Sequence, residues 1–109
     1  MQAHQNVDGI LSLECCSTPA AGQYVQRNGL VGKVKIVGFD MLPETIRLVQ
    51  GNVIAATIDQ GPEKQSYGGV SLLLDVLKGK KIHDVDTGAV VYTSGNIGDY
   101  VIASKEQKQ

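Results

Sequence analysis

The chain has 109 residues and a formal net charge of −1, which allows one small domain and leaves no excess of positive charge for binding nucleic acid. Hydrophobic residues make up 42% of the sequence, an ordinary share for a globular protein. No apolar stretch approaches the roughly 18 residues that cross a bilayer, and the polar N-terminus lacks the pattern of a signal peptide.

In chain order, the sequence predicts strands that alternate with helices. Short apolar runs bounded by turn residues predict strands at residues 10–13, 34–38, 53–58 and 89–93. Apolar residues at helical spacing, with prolines near the starts and glycines near the ends, predict helices at residues 18–28, 43–50 and 62–78. Residues 100–102 are expected to pair or pack, and residues from Ser104 onward are expected to fray.

The strand at residues 34–38 organises the rest of the chain in this interpretation. Its mostly β-branched run between Gly32 and Gly38 is typical of a parallel strand that is covered on both faces. The alternation of strands and helices predicts right-handed crossovers and an α/β fold of three layers (αβα) with a parallel sheet of about four strands. No repeat or linker divides the chain, so we expect residues 1–109 to form one unit.

A polar side chain follows each of the first three predicted strands: Glu14, Asp40 and Gln60. Because open α/β sheets bind ligands at the carboxyl ends of their strands, these side chains would line one rim if the strands are neighbours. Carboxylates accept hydrogen bonds strongly and an amide adds donors, which suits the hydroxyl groups of a sugar. The alternative is that these residues only form loops or cap helices.

Four stretches carry a resemblance to a known family: residues 37–40 (VGFD), 43–46 (PETI), 51–60 (GNVIAATIDQ) and 78–80 (KGK). In order and spacing, most of the chain resembles the ribose-type periplasmic sugar-binding proteins and their repressor relatives. Members of that family have two α/β lobes that close around a sugar. The resemblance implies that this chain is a single partial C-terminal lobe, without the N-terminal lobe and the first two strand–helix units.

The resemblance also implies a function, namely a fragment of the solute-binding component of an ABC-type sugar transporter. It places Asp40 at the family aspartate that binds sugar hydroxyls and Gln60 at the glutamine after the next strand, whereas Glu14 stands where asparagine or aspartate is common. A monosaccharide such as a pentose or hexose, an ABC permease as partner, and a periplasmic or extracytoplasmic location follow from it. The alternatives are the ligand-sensing domain of a transcriptional repressor or sensor kinase, and a purely structural role in assembly.

The remaining reactive side chains predict no metal site, no cofactor and no enzymatic activity. His4 and His83 have no second ligand at metal-binding spacing. Cys15 and Cys16 are adjacent rather than spaced as CxxC and have no histidine base nearby, so free thiols are expected. No nucleophile and no phosphate-binding loop is recognisable.

If the N-terminal lobe and the first two strand–helix units are absent, as the resemblance implies, two further expectations follow. The first strand would lie at the edge of the sheet with unpaired backbone groups, which predicts a homo-oligomer that forms through this edge. A sugar bound by one lobe would lose about half its contacts and the enclosure that excludes water, so we expect weak affinity.

Overall fold

The structure is a computed structural model that describes residues 3–107. Strands and helices alternate along the described residues, in the order β1 (Gly9–Leu11), α1 (Ser17–Arg27), β2 (Lys35–Phe39), α2 (Pro43–Gln50), β3 (Ala56–Asp59), α3 (Pro62–Leu77), β4 (Val90–Tyr92) and α4 (Ile97–Gln107). Within these residues, no helix combines the length and the apolar character needed to cross a bilayer.

The four strands form one sheet in the order β1-β2-β3-β4. β1, β2 and β3 are parallel, with Ile10 opposite Ile36 and Gly38 opposite Thr57. This mostly parallel sheet with helices between its strands confirms the predicted α/β class. It also brings the carboxyl ends of β2 and β3 side by side, which is the arrangement that the predicted rim requires.

The fourth strand departs from the prediction, because β4 pairs antiparallel with β3. A fourth parallel strand would need α3 to pack back onto the sheet as a crossover helix. Instead, α3 has no buried residue, and the chain returns through residues 78–89 so that Val90 pairs with Asp59 at the carboxyl end of β3. The expectation of an all-parallel sheet was therefore wrong at this strand.

The core lies between the sheet and helices α1 and α2. The buried side of β2 carries Ile36 and Gly38, whereas Val37 and Phe39 on its other side are only half-buried. This alternation corrects the expectation that β2 is covered on both faces, because only one of its faces is buried. The buried apolar side chains are Val25, Val34, Ile36, Leu48, Val49, Val53, Ile54 and Ile97.

Gly38 sets how closely α1 approaches β2. A Cβ atom on residue 38 would lie 2.2 Å from Cγ2 of Thr18, so a larger residue does not fit there. The absence of a side chain lets the Thr18 hydroxyl accept a hydrogen bond from the Phe39 N–H at 3.2 Å. The start of α1 is thereby joined to the last residue of β2, immediately before Asp40.

Helix α3 is the least packed element of the fold. Its apolar residues are largely exposed, with Tyr67 at 80% and Leu73 at 65% of their full accessible areas. The radius of gyration is 17.4 Å. A compact domain of this size has a radius of about 13 Å. The chain is therefore elongated, with α3 outside the core.

Helix α4 occupies the region where the sequence predicted a frayed tail. Ile97 at its start is 1% exposed and belongs to the core. Tyr100 packs edge-on against Tyr92, with 5.4 Å between the ring centroids. The expectation that residues 100–102 pack is met by Tyr100, whereas the expected fraying from Ser104 was wrong, since the helix continues to Gln107.

Candidate functional site at the carboxyl ends of the strands

An open cleft of about 560 Å³ lies where β2 and β3 end. Residues that follow the first three strands form its floor, and α4 supplies one wall. Its lining residues are Cys15, Asp40, Met41, Leu42, Asp59, Gly61, Pro62, Glu63, Lys64, Tyr100, Ala103, Ser104 and Gln107. Ligands of parallel α/β sheets bind in this position.

The backbone of Asp40 is held by both neighbouring segments. Asp40 has φ of 72°, a left-handed conformation that Asp and Asn tolerate better than most residues. Its N–H donates to the Ile58 carbonyl at 2.8 Å. Its own carbonyl accepts from the Thr57 hydroxyl at 2.7 Å. Two contacts with β3 thus fix the point at which the Asp40 side chain leaves the chain.

The side chains of Asp40 and Gln60 meet directly. Nε2 of Gln60 donates a hydrogen bond to Oδ1 of Asp40 over 3.1 Å, and both residues are half-buried. The carbonyl of Gln60 in turn accepts from the side-chain amide of Gln65 at 3.0 Å. The contact orients the Asp40 carboxylate and leaves its second oxygen, Oδ2, as an acceptor beside the cleft. Two of the three residues predicted for the rim are therefore brought together.

Glu14 is placed differently from the other two. Its Oε1 accepts hydrogen bonds from the backbone N–H groups of Cys16 and, at 2.6 Å, of Ser17, where α1 begins. A carboxylate at this position satisfies N–H groups that have no partner within the helix. Glu14, like Gln60, lies outside the residues that line the cleft, although Cys15 beside it belongs to them. A direct contact between Glu14 and a ligand stays a prediction.

Several cleft residues lie outside the three that the sequence predicted as ligand contacts. Asp59 ends β3 beside Gln60, and its Oδ1 accepts from the Gly61 N–H at 3.0 Å. Tyr100, Ala103, Ser104 and Gln107 lie three or four positions apart and share one face of α4. The signal for this helix is Asn96, a residue type favoured at helix starts, followed by apolar residues at positions 97, 100 and 101.

The charged side chains that line the cleft are Asp40, Asp59, Glu63 and Lys64. The pKa of Tyr92 is raised, mainly because its side chain is removed from water and further because of the negative charge of Asp59. On the other side, Cys15 and Cys16 are free thiols with their sulfur atoms 3.3 Å apart. The hydrogen bond with Cys15, and then the electrostatic interactions with Cys15 and Glu14, raise the pKa of Cys16.

Comparisons with known proteins show which proteins the chain is similar to. The chain is 27% identical over 94% of its length to the xylose/arabinose-binding protein XylF of Sulfolobus acidocaldarius. It is 29% identical over 79% of its length to the D-allose-binding periplasmic protein of Escherichia coli. A carbohydrate transporter solute-binding protein from Agrobacterium radiobacter, solved with D-arabinose, superposes on 94% of the chain with 32% identity and a TM-score of 0.81.

The chain is much shorter than these proteins. It spans 28% of the length of each of the first two and 35% of the third. Residues 1–81 match the family described as periplasmic binding protein domain. This match covers most of the chain and confirms the resemblance that the sequence suggested, so the chain belongs to the periplasmic binding protein domain family.

Proposed function

We propose that this chain contributes one half of a sugar-binding site in the solute-binding component of an ABC-type transporter. The observation that carries the proposal is the hydrogen bond between Gln60 and Asp40 at the ends of two adjacent parallel strands. With Oδ1 engaged by Gln60, the Oδ2 atom accepts a hydrogen bond from a sugar hydroxyl, and the side-chain oxygen of Gln60, Oε1, accepts another. The monosaccharides named for the relatives, such as arabinose and allose, present hydroxyls of this kind.

The cleft adds an apolar surface to these polar contacts. Tyr100 on α4 presents an aromatic ring in the cleft wall, and Leu42 lies on the floor. The C–H groups of a sugar ring pack against such surfaces while its hydroxyls contact Asp40 and Gln60. Glu14 stays a predicted third contact, through the carboxylate oxygen that does not hold the start of α1.

We also propose that the chain forms part of the C-terminal lobe of a two-lobed protein. The uncovered apolar face of α3 supports it, because a 16-residue helix without any buried residue has a surface suited to packing against further protein. In this proposal, the assembled protein closes on its sugar outside the cytoplasm and is then recognised by an ABC permease.

By itself, the chain is proposed to self-associate through the free edge of β1. Within the described residues, β1 pairs only with β2, and Leu11 and Leu13 beside its free edge are 63% and 75% exposed. An edge of this kind offers unpaired backbone groups to a second chain. Size-exclusion chromatography with light scattering is expected to show a dimer or larger species, and a monomer over the whole concentration range would contradict this.

The sugar proposal is tested by an NMR titration of the isotope-labelled chain with D-allose, D-xylose and D-arabinose. We expect at least one of them to bind with a Kd on the order of millimolar, because a half-site leaves one face of the sugar in water. The amide signals of Asp40, Gln60 and Tyr100 should shift along saturable curves. No saturable shift with any of the three sugars, or shifts confined to other regions, would overturn the proposal.

The variant Asp40→Asn tests whether the Asp40 carboxylate binds the sugar. Asparagine tolerates the left-handed backbone at this position, and its carbonyl oxygen can still accept from Gln60, but the charged acceptor is lost. We expect sugar binding to weaken by about tenfold, which corresponds to the strength of a hydrogen bond to a charged group. Asp84→Asn removes an exposed carboxylate outside the cleft and should leave the titration unchanged.

A further inference from the structure

We propose that Glu14, Cys15 and Cys16 form a binding site for one thiophilic divalent cation, with Zn²⁺ as the natural candidate. The three residues offer two sulfur atoms and a carboxylate oxygen, all within 4.8 Å of one another. The sulfur atoms of Cys15 and Cys16 are 3.3 Å apart and are not joined in a disulfide. The sequence alone suggested no metal site, because it has neither a CxxC spacing nor a paired histidine.

The donor atoms are close to the arrangement that zinc requires. Two sulfur atoms bound to one zinc at about 2.3 Å each lie about 3.8 Å apart in a tetrahedral site. The two sulfur atoms are 3.3 Å apart, so they would have to move apart by only about 0.5 Å to bind one zinc ion. Cys16 is exposed and Cys15 is half-buried, so a cation reaches both thiols from solvent.

The start of α1 holds the carboxylate in place for this role. Oε1 of Glu14 accepts from the N–H groups of Cys16 and Ser17, which fixes the carboxylate beside the two thiols before any cation arrives. Its remaining lone pairs are free to bind the metal, since a carboxylate accepts more than two contacts. A ligand oriented by a second hydrogen bond in this way binds a metal more strongly than a mobile one.

Both thiols lose their protons to solvent when the two metal–sulfur bonds form, so the site supplies two thiolates and one carboxylate to a doubly charged cation. Three protein ligands leave the fourth position of a tetrahedral zinc open. Because Cys15 also lines the cleft, a cation held by this residue would lie beside the space that contains Asp40.

The site is tested by titrating the reduced chain with Cd²⁺, whose bonds to thiolates give a charge-transfer absorption in the ultraviolet. We expect one Cd²⁺ per chain, displacement of the absorption by Zn²⁺, and release of protons on binding. Cys15→Ser and Cys16→Ser should each weaken binding by about tenfold or more, since loss of a ligand costs at least as much as loss of an outer-shell partner. Far-UV circular dichroism checks that both variants keep their helices.

Glu14→Gln separates the carboxylate from the thiols. Glutamine keeps a carbonyl oxygen for the N–H groups of α1 but loses the charge, so Cd²⁺ binding should weaken while the helix content stays the same. Asp84→Asn serves as the control for an exposed carboxylate elsewhere and should have no effect.

Three results would overturn the proposal: equal affinity in either serine variant, one Cd²⁺ shared between two chains, or an affinity that Glu14→Gln leaves unchanged. Both proposals use the Glu14 carboxylate, so the sugar titration is run without added metal and its outcome is read separately from this one.

Discussion

Helices α2 and α3 begin with the same two residue types but have different surroundings. Each begins with a proline at its first position, and each has a glutamate in its first turn. Both carry apolar residues at helical spacing, and α3 is twice as long, with 16 residues against 8. Yet α2 buries Thr45, Leu48 and Val49, whereas α3 buries nothing.

The difference shows what helical periodicity does and does not predict. Spacing of 3 and 4 identifies a helix and its apolar face, because it depends only on the geometry of 3.6 residues per turn. What covers that face depends on the rest of the fold. α2 lies against α1 and the sheet, where Leu48 fills the space beside Gly22 of α1, but within the described residues α3 has no such neighbour.

The largest expected effect comes from shortening one leucine in each helix. Leu48→Ala removes a side chain that is 1% exposed and should lower the free energy of unfolding by about 2–5 kcal/mol. Leu73→Ala removes one that is 65% exposed, so the change should stay within about 0.5 kcal/mol. Chemical denaturation of both variants measures the difference. A large loss from Leu73→Ala would show that the apolar face of α3 is covered in solution, by a second copy for example.

A pair of glycines tests the same contrast by adding a methyl group instead of removing one. Gly38→Ala forces a Cβ atom to 2.2 Å from Thr18, and overpacking of this kind costs about 1–3 kcal/mol or more. Gly69 lies within α3 with nothing near its Cβ position, so Gly69→Ala should stabilise the helix by up to about 1 kcal/mol. The two midpoints of urea unfolding should therefore move in opposite directions. Movement in the same direction would contradict the close contact between α1 and β2.

Much of the fold could be predicted because its signals are local. The bounds of α2 agree at both ends, since Pro43 and Gly51 mark them in the sequence. The antiparallel direction of β4 could not be predicted, because it depends on whether α3 returns to the sheet. β3 begins at Ala56 rather than at residue 53, since Val53 and Ile54 are buried in the core before the strand starts.

The candidate site could be predicted only in part for a similar reason. Asp40 and Gln60 follow neighbouring strands, so the sheet itself brings them together. Glu14 follows β1 in the same way, but its carboxylate has N–H groups of α1 as nearer partners. Tyr100 reaches the cleft because α4 packs beside α2. α4 follows β4 and the irregular residues 78–89, and no local sequence pattern indicates where in the fold it packs.

Two buried threonines provide the finest test, because they separate burial from hydrogen bonding. Thr57 and Thr45 are both fully buried. The Thr57 hydroxyl donates to the Asp40 carbonyl at 2.7 Å, whereas that of Thr45 has no hydrogen-bond partner among the described residues. Valine keeps the shape of threonine and removes only the hydroxyl, so the two substitutions compare a satisfied polar group with an unsatisfied one.

Thr57→Val should lower the free energy of unfolding by about 1–3 kcal/mol, because the Asp40 carbonyl loses its partner. It should also weaken sugar binding, since Asp40 is less firmly held. Thr45→Val should be neutral or stabilising by up to about 1 kcal/mol, because no hydrogen bond is lost and an unpaired polar atom leaves the core. Valine suits a strand at least as well as threonine, so a loss at position 57 cannot come from strand propensity. Equal effects of the two substitutions in thermal unfolding would show that the Thr57 hydroxyl does not hold Asp40 in place.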